Sequence, residues 1–172
     1  LRGGGVGVIR WFLGITLPLY LLDQVSKALV LRFVSPDESI PVIPGFFDLV
    51  QWHNTGAAFS MLTNNNAFFI ALSSAALIAL AIFWRRGAFP GGWMAFGAAL
   101  LAAGILGNLT DRLLHGFVVD FLLFDLHVPF ANPWPAFNVA DSCICMAAAI
   151  FVVSSLFENK EGLTRSREVA KK

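Results

Sequence analysis

Four stretches of the chain stay apolar long enough to cross a bilayer, at residues 11–31, 67–84, 93–109 and 138–157. About 20 helical residues span the hydrocarbon layer. Lipid offers a bare backbone no hydrogen-bond partner, so each stretch is read as a helix. Two long connections separate them, at about 32–66 and 112–137. Within these, the segments 46–52 and 117–124 are rich in β-branched and aromatic residues and bounded by Pro and Gly. They are read as short surface strands that pair with each other. Pro133-Trp134-Pro135 is read as a rigid turn that delivers the chain into the fourth helix, because Pro fixes φ and disfavours helix before it. No internal repeat or low-complexity segment is evident. The expected fold is therefore an all-α membrane protein, a four-transmembrane-helix bundle with a small β-element at the outer (periplasmic) surface. It forms a single domain over 1–172, with a flexible cytoplasmic tail at about 158–172.

Composition supports this reading: 57% of residues are hydrophobic and 13% charged, against about 25% charged in a soluble domain. The net charge of +1 gives no electrostatic case for nucleic acid. Cys143 and Cys145 lie in an apolar run, and as a pair supply neither a disulfide framework nor a zinc site. The first apolar segment is too long for a signal-peptide core and holds Asp23 and Lys27, so it is expected to stay in the protein. Nine of the twelve basic residues precede the first helix, link the second to the third, or follow the fourth. Lysine and arginine mark the cytoplasmic side, so both termini are expected there and both long connections outside.

Polar residues inside the helices carry the functional signal. Thr16, Tyr20, Asp23 and Lys27 form one stripe on the first helix, spaced four, three and four. Gly97, Leu101, Gly104, Asn108 and Asp111 repeat that pattern on the third, with small residues that allow close helix approach. Asn138, Asp141, Ser142 and Cys145 share a face of the fourth. Ionisable groups at membrane depth are costly and face a bundle interior or a polar site. In the expected topology these groups all fall within a few turns of the outer surface and converge on one site.

Two carboxylates held close cannot both ionise cheaply, so they share a proton; one can activate water while the other protonates. Asp120, near the outer surface, and Asp141, one turn into the fourth helix, could meet if the 112–137 connection folds back. Other chemistries fit less well. The chain has no HExxH or G-x-S-x-G motif and no phosphate-binding glycine loop. Its histidines, His53, His115 and His127, lack zinc-ligand spacing. No cofactor or metal is expected. The alternative, a small transporter or channel using buried acids, calls for polar residues through the whole membrane thickness and often an internal repeat. Here 75–84 and 147–151 are apolar.

Five ordered blocks carry a resemblance. They are Asp23-Gln24-Val25-Ser26-Lys27, Asn54-Thr55-Gly56-Ala57-Ala58-Phe59-Ser60, Gly104-x-x-Gly107-Asn108-x-x-Asp111-Arg112, Val118-Val119-Asp120-Phe121 and Phe137-Asn138-x-Ala140-Asp141-Ser142. At this spacing the sequence resembles the lipoprotein signal peptidases (signal peptidase II), aspartic endopeptidases of the bacterial inner membrane. Ala103 stands where the family usually has the first of two glycines, and the stretch between Asp120 and Asn138 is long. The resemblance implies Asp120 and Asp141 as the catalytic dyad. It places Asn54, Asn108, Arg112 and Asn138 along the cleft, and these with Gly56 are assigned to substrate binding or support. Asp23 and Lys27, an i,i+4 pair that can neutralise itself, are read as support with ligand contact open, and Asp111 as structural. The resemblance further implies a prolipoprotein substrate cut before a diacylglyceryl-modified cysteine, contact with membrane lipid, and inhibition by globomycin-type lipopeptides.

Overall fold

The computed structural model describes residues 4–36, 38–56, 65–89, 92–128 and 134–169. Residues 57–60 of the second sequence block, and Pro133 of the expected turn, lie outside them. Helix α1 (Gly4–Trp11) passes through a π-helical turn (Phe12–Thr16) into α2 (Leu17–Phe33). Pro18 has no N–H for the carbonyl one turn back, and the widened turn meets it, with the Leu17 N–H reaching Phe12 O. Then follow β1 (Ser39–Ile43), β2 (Phe47–Asn54), α3 (Asn66–Arg85), α4 (Gly92–Leu114), β3 (Val118–Phe124), β4 (Trp134–Phe137) and α5 (Val139–Val169). Among the described residues, four helical stretches are long and apolar enough to cross a membrane: Ile9–Phe33, Asn66–Arg85, Gly92–Leu114 and Val139–Phe157.

Helix α4 is the axis of the bundle. Over half of its apolar window, 56%, is buried, against 11–22% for the other three spans. Small residues make this possible. A Cβ at Gly104 would strike the Ala140 carbonyl oxygen and lie 2.6 Å from Ile144 Cγ1, and one at Gly107 would lie 2.5 Å from Asp23 Oδ2. Ala103, in the place of a family glycine, is itself buried. The predicted stripe on the first span meets α4 along its length: Thr16 Oγ1 donates to Ala99 O at 2.9 Å, and Tyr20 OH lies 3.3 Å from Thr110 Oγ1. α4 runs five residues past the apolar stretch that ends at 109. Its polar last turns are buried because each polar group there finds a partner, as described below.

The sheet is antiparallel, in the order β1-β2-β3-β4. The two strands expected from sequence are the central pair, with Trp52 opposite Asp120 and Asn54 opposite Val118. The outer two strands are a correction. β1 was not anticipated, and Trp134 and Pro135, expected in a rigid turn, begin strand β4 (Trp134–Phe137). Pro41 and Pro135 obscure the strand pattern in β1 and β4. Both strands are sheet edges, where half of the N–H groups point away from the partner strand and Pro can be accommodated. The sheet is seated on the end of α2 by a cluster of Val30, Val34, Val119 and Phe121.

A second correction concerns Cys145. Expected on the polar face of the fourth helix, it is exposed, while Cys143 is buried against Leu100 and Ala147. The stripe that packs on α4 is Ala140, Cys143 and Ala147. The Asn138–Asp141 stripe runs beside it and is enclosed only at the depth of the sheet, so one turn further on its next member is uncovered.

Candidate active site

Asp120 lies on β3, a central strand, and is only 4% exposed. Asp141 lies in the first turn of α5 and is half-buried. Asn138 joins them. Its Oδ1 accepts the Asp141 N–H at 2.9 Å, while Asp141 Oδ2 accepts the Asn138 N–H at 3.2 Å. This reciprocal pair is a capping box that starts α5. The same side chain donates Nδ2 to Asp120 Oδ1 at 2.8 Å. One fully buried asparagine thus sets the helix start and ties one carboxylate to the other.

Each remaining carboxylate oxygen is held by another asparagine. Asn54 Nδ2 donates to Asp120 Oδ2 at 2.9 Å, and Asn108 Nδ2 donates to Asp141 Oδ1 at 2.7 Å. The orientation of these amides is forced from behind, because every side-chain carbonyl faces a group that can only donate. For Asn54 that group is the Gly56 N–H at 2.9 Å, for Asn108 it is Lys27 Nζ at 3.0 Å, and for Asn138 it is the Asp141 N–H. All four carboxylate oxygens therefore receive an N–H, and each keeps a lone pair for a water or a proton.

Behind this layer are the charges. Lys27 Nζ lies 2.9 Å from both Asp23 Oδ2 and Asp111 Oδ2, with all three side chains almost fully buried. Asp23 Oδ1 accepts the Ala140 N–H at 2.8 Å, which fixes the start of α5 against α2. Asp111 Oδ2 accepts the Val119 N–H at 3.0 Å, which fixes β3 one residue before Asp120. On the other side Arg112 donates to Gly56 O at 2.8 Å and stacks on the Phe69 ring at 4.6 Å. The chain from Arg112 through Gly56 and Asn54 thus ends on Asp120.

The electrostatics of Asp120 follow from this enclosure. Burial, and then the neighbouring Asp141, raise its carboxyl to about 7, while the amides of Asn54 and Asn138 and the charge of Lys27 work in the opposite direction. A carboxyl raised this far is still partly protonated near neutral pH.

Every site residue expected from sequence enters this network: Asp23, Lys27, Asn54, Gly56, Asn108, Arg112, Asp120, Asn138 and Asp141. Gln24 and Asn66 were not singled out. Gln24 Nε2 donates to Asp23 Oδ2, Gly107 O and Asp111 Oδ1, and Asn66 Nδ2 donates to the Arg112 carbonyl. Gln24 sits beside Asp23 in the first block, and a polar side chain next to a buried acid was the signal available. Among the described residues no three His, Cys, Asp or Glu side chains gather as a metal site.

The family model described as Signal peptidase (SPase) II matches residues 15–157. The lipoprotein signal peptidase of Teredinibacter turnerae is 40% identical over 159 residues, covering 90% of this chain and 92% of its own. That of Ralstonia nicotianae is 44% identical over 159 residues, covering 90% and 88%. A bacterial membrane enzyme solved by the in meso method at 2.3 Å resolution superposes with a TM-score of 0.80 at 30% identity, covering 91% of each chain. A second, solved at 1.9 Å, gives 0.75 at 31% identity, covering 88% of this chain and 93% of that one.

Proposed function

The chain belongs to the signal peptidase II family, peptidases that remove signal peptides from prolipoproteins, and we propose that it does so as an aspartic endopeptidase with Asp120 and Asp141 as the two acids. The observation that carries this reading is the pair itself. Two carboxylates on different elements are bridged by one asparagine, and Asp141 is half-open while Asp120 is buried. With one proton between them, the ionised carboxylate takes a proton from water as its oxygen attacks the scissile carbonyl carbon. The protonated carboxyl gives its proton to the carbonyl oxygen, forming a gem-diol. Return of a proton to the amide nitrogen lets the C–N bond break. The signal peptide then leaves with a new carboxyl end and the cysteine with a free amine.

The cut falls before a diacylglyceryl-modified cysteine. Its acyl chains remain in lipid beside the exposed apolar helix faces, such as Leu72, Ile78 and Val152, while the scissile bond meets the polar site. Globomycin-type lipopeptides occupy the same cleft. Purified protein in lipid should cleave a diacylglyceryl-modified precursor and leave the unmodified precursor intact over the same time, read by mass shift on a gel. Equal cleavage of both would remove the lipid from the recognition.

The site lies toward the outer leaflet of the inner membrane, with both termini cytoplasmic, supported by the distribution of basic residues. With Cys143 and Cys145 replaced by alanine, Glu38→Cys, before β1, is expected to react with an impermeant thiol reagent in intact spheroplasts. Ala88→Cys, between α3 and α4, is expected to react only after the membrane is opened. Both positions are exposed. The reverse labelling would invert the topology.

A further inference from the structure

The Lys27 cluster is more than a pin between α2 and α4. An ammonium already paired with two buried carboxylates has one donor direction left, and it is spent on Asn108 Oδ1 at 3.0 Å rather than on a third acid. Lys27 can donate but never accept. Its contact therefore excludes the flipped amide, in which the Asn108 carbonyl would face Asp141 and repel it. We propose that Lys27 is a positioning residue for the reaction, holding the Asn108 carboxamide so that its N–H is fixed on Asp141, with Asp23 and Asp111 serving to hold Lys27.

Three further observations bear on this. The Asn108 carbonyl also accepts from Asn138 Nδ2, at 3.3 Å, but the Lys27 contact at 3.0 Å is the shorter of the two and the charged one. Lys27 and Asn108 are both at least nine-tenths buried, so bulk solvent has little access to replace the ammonium as donor. A plain interhelical ion pair would also need only one acid, whereas here two are fixed in place, Asp23 by Gln24 and the Ala140 N–H and Asp111 by Gln24 and the Val119 N–H. The reading rests on the dyad proposed above and adds a donor relay from α2 through α4 to α5.

A positioning role and a packing role differ in what they couple to. Lys27→Met is expected to lower kcat by about ten- to a hundredfold, the loss typical of one charge-assisted hydrogen bond. KM for lipidated precursor should change less than about twofold. In an Asn108→Ala background the same Lys27→Met change should have almost no further effect on kcat, because the relay is already cut. Removing Lys27 alone leaves two buried acids facing each other and endangers the fold. The pair Lys27→Met with Asp111→Asn restores the charge balance and keeps an acceptor for the Val119 N–H, and it should show the same loss of kcat. If this balanced variant cleaves at the parent rate, or if its loss multiplies with that of Asn108→Ala, Lys27 is only a helix pin. Should Asp141→Asn itself remain active, it is the dyad that fails.

Discussion

Asp120→Asn and Asp141→Asn are each expected to lower cleavage of lipidated precursor by about a thousandfold or more, and the double replacement should be scarcely worse than either, because the pair acts as one unit. Asparagine keeps the size and one acceptor oxygen of the acid but can neither ionise nor pass on a proton. Asp120 should tolerate it structurally. Its carboxyl is raised to about 7, chiefly by burial and then by Asp141, so in the parent the folded state binds its proton more tightly than the unfolded chain does. Stability of the parent therefore falls as pH rises from the ordinary carboxylate range towards 7. Asp120→Asn escapes that penalty and should melt at or above the parent temperature at pH 8, with the gap closing in acid. The same titration limits activity. Once Asp120 loses its proton the pair is doubly charged, so kcat/KM should decline above about pH 7. Asp125→Asn, beyond the end of β3, is the control and should cleave normally. A dyad variant retaining more than a few per cent of parent turnover would rule out proton sharing.

The second large effect belongs to Asn138. It is fully buried and combines two jobs, as the cap of α5 through Asp141 N–H and as the donor to Asp120. Asn138→Ala removes both. It should cost about 1–2 kcal/mol of stability from the lost cap and at least about a hundredfold in kcat, since Asp120 is left with one donor and α5 begins loosely. Asn138→Asp separates the jobs. Aspartate caps a helix as well as asparagine does, but its second oxygen would face Asp120 without a proton to offer. This variant should start α5 normally, as judged by helical circular dichroism, yet be nearly inactive at pH 8, with partial recovery at acid pH as the new carboxyl protonates. If Asn138→Asp cleaves at the parent rate at pH 8, the donation to Asp120 has no part in catalysis.

Much of this molecule is written along the chain because lipid leaves few choices. A run such as 67–84, apolar apart from Ser73 and Ser74, reads as a spanning helix, the form in which lipid leaves no backbone group unpaired. Acids at membrane depth such as Asp23 and Asp141 must find partners, so the stripes on α2, α4 and the start of α5 already marked one polar interior. The central strands β2 and β3 were legible from their β-branched and aromatic content. The edge strands were hidden, because Pro41 and Pro135 are tolerated only by virtue of an edge position, which is a property of the sheet and not of the segment. Likewise, apolar character ends at 109 while α4 continues to Leu114. Lys27 and the Gly56 carbonyl, 84 and 56 positions away from their partners Asp111 and Arg112, are what make those last turns inexpensive to bury. The sequence alone thus determined the spans, the paired central strands and the residue types of the site. Tertiary structure decided which oxygen each asparagine holds, that Lys27 serves two acids rather than its i,i+4 partner alone, and that Cys145 looks outward. Hydrogen-bond direction depends on what stands behind each amide, and that neighbour comes from a distant part of the chain.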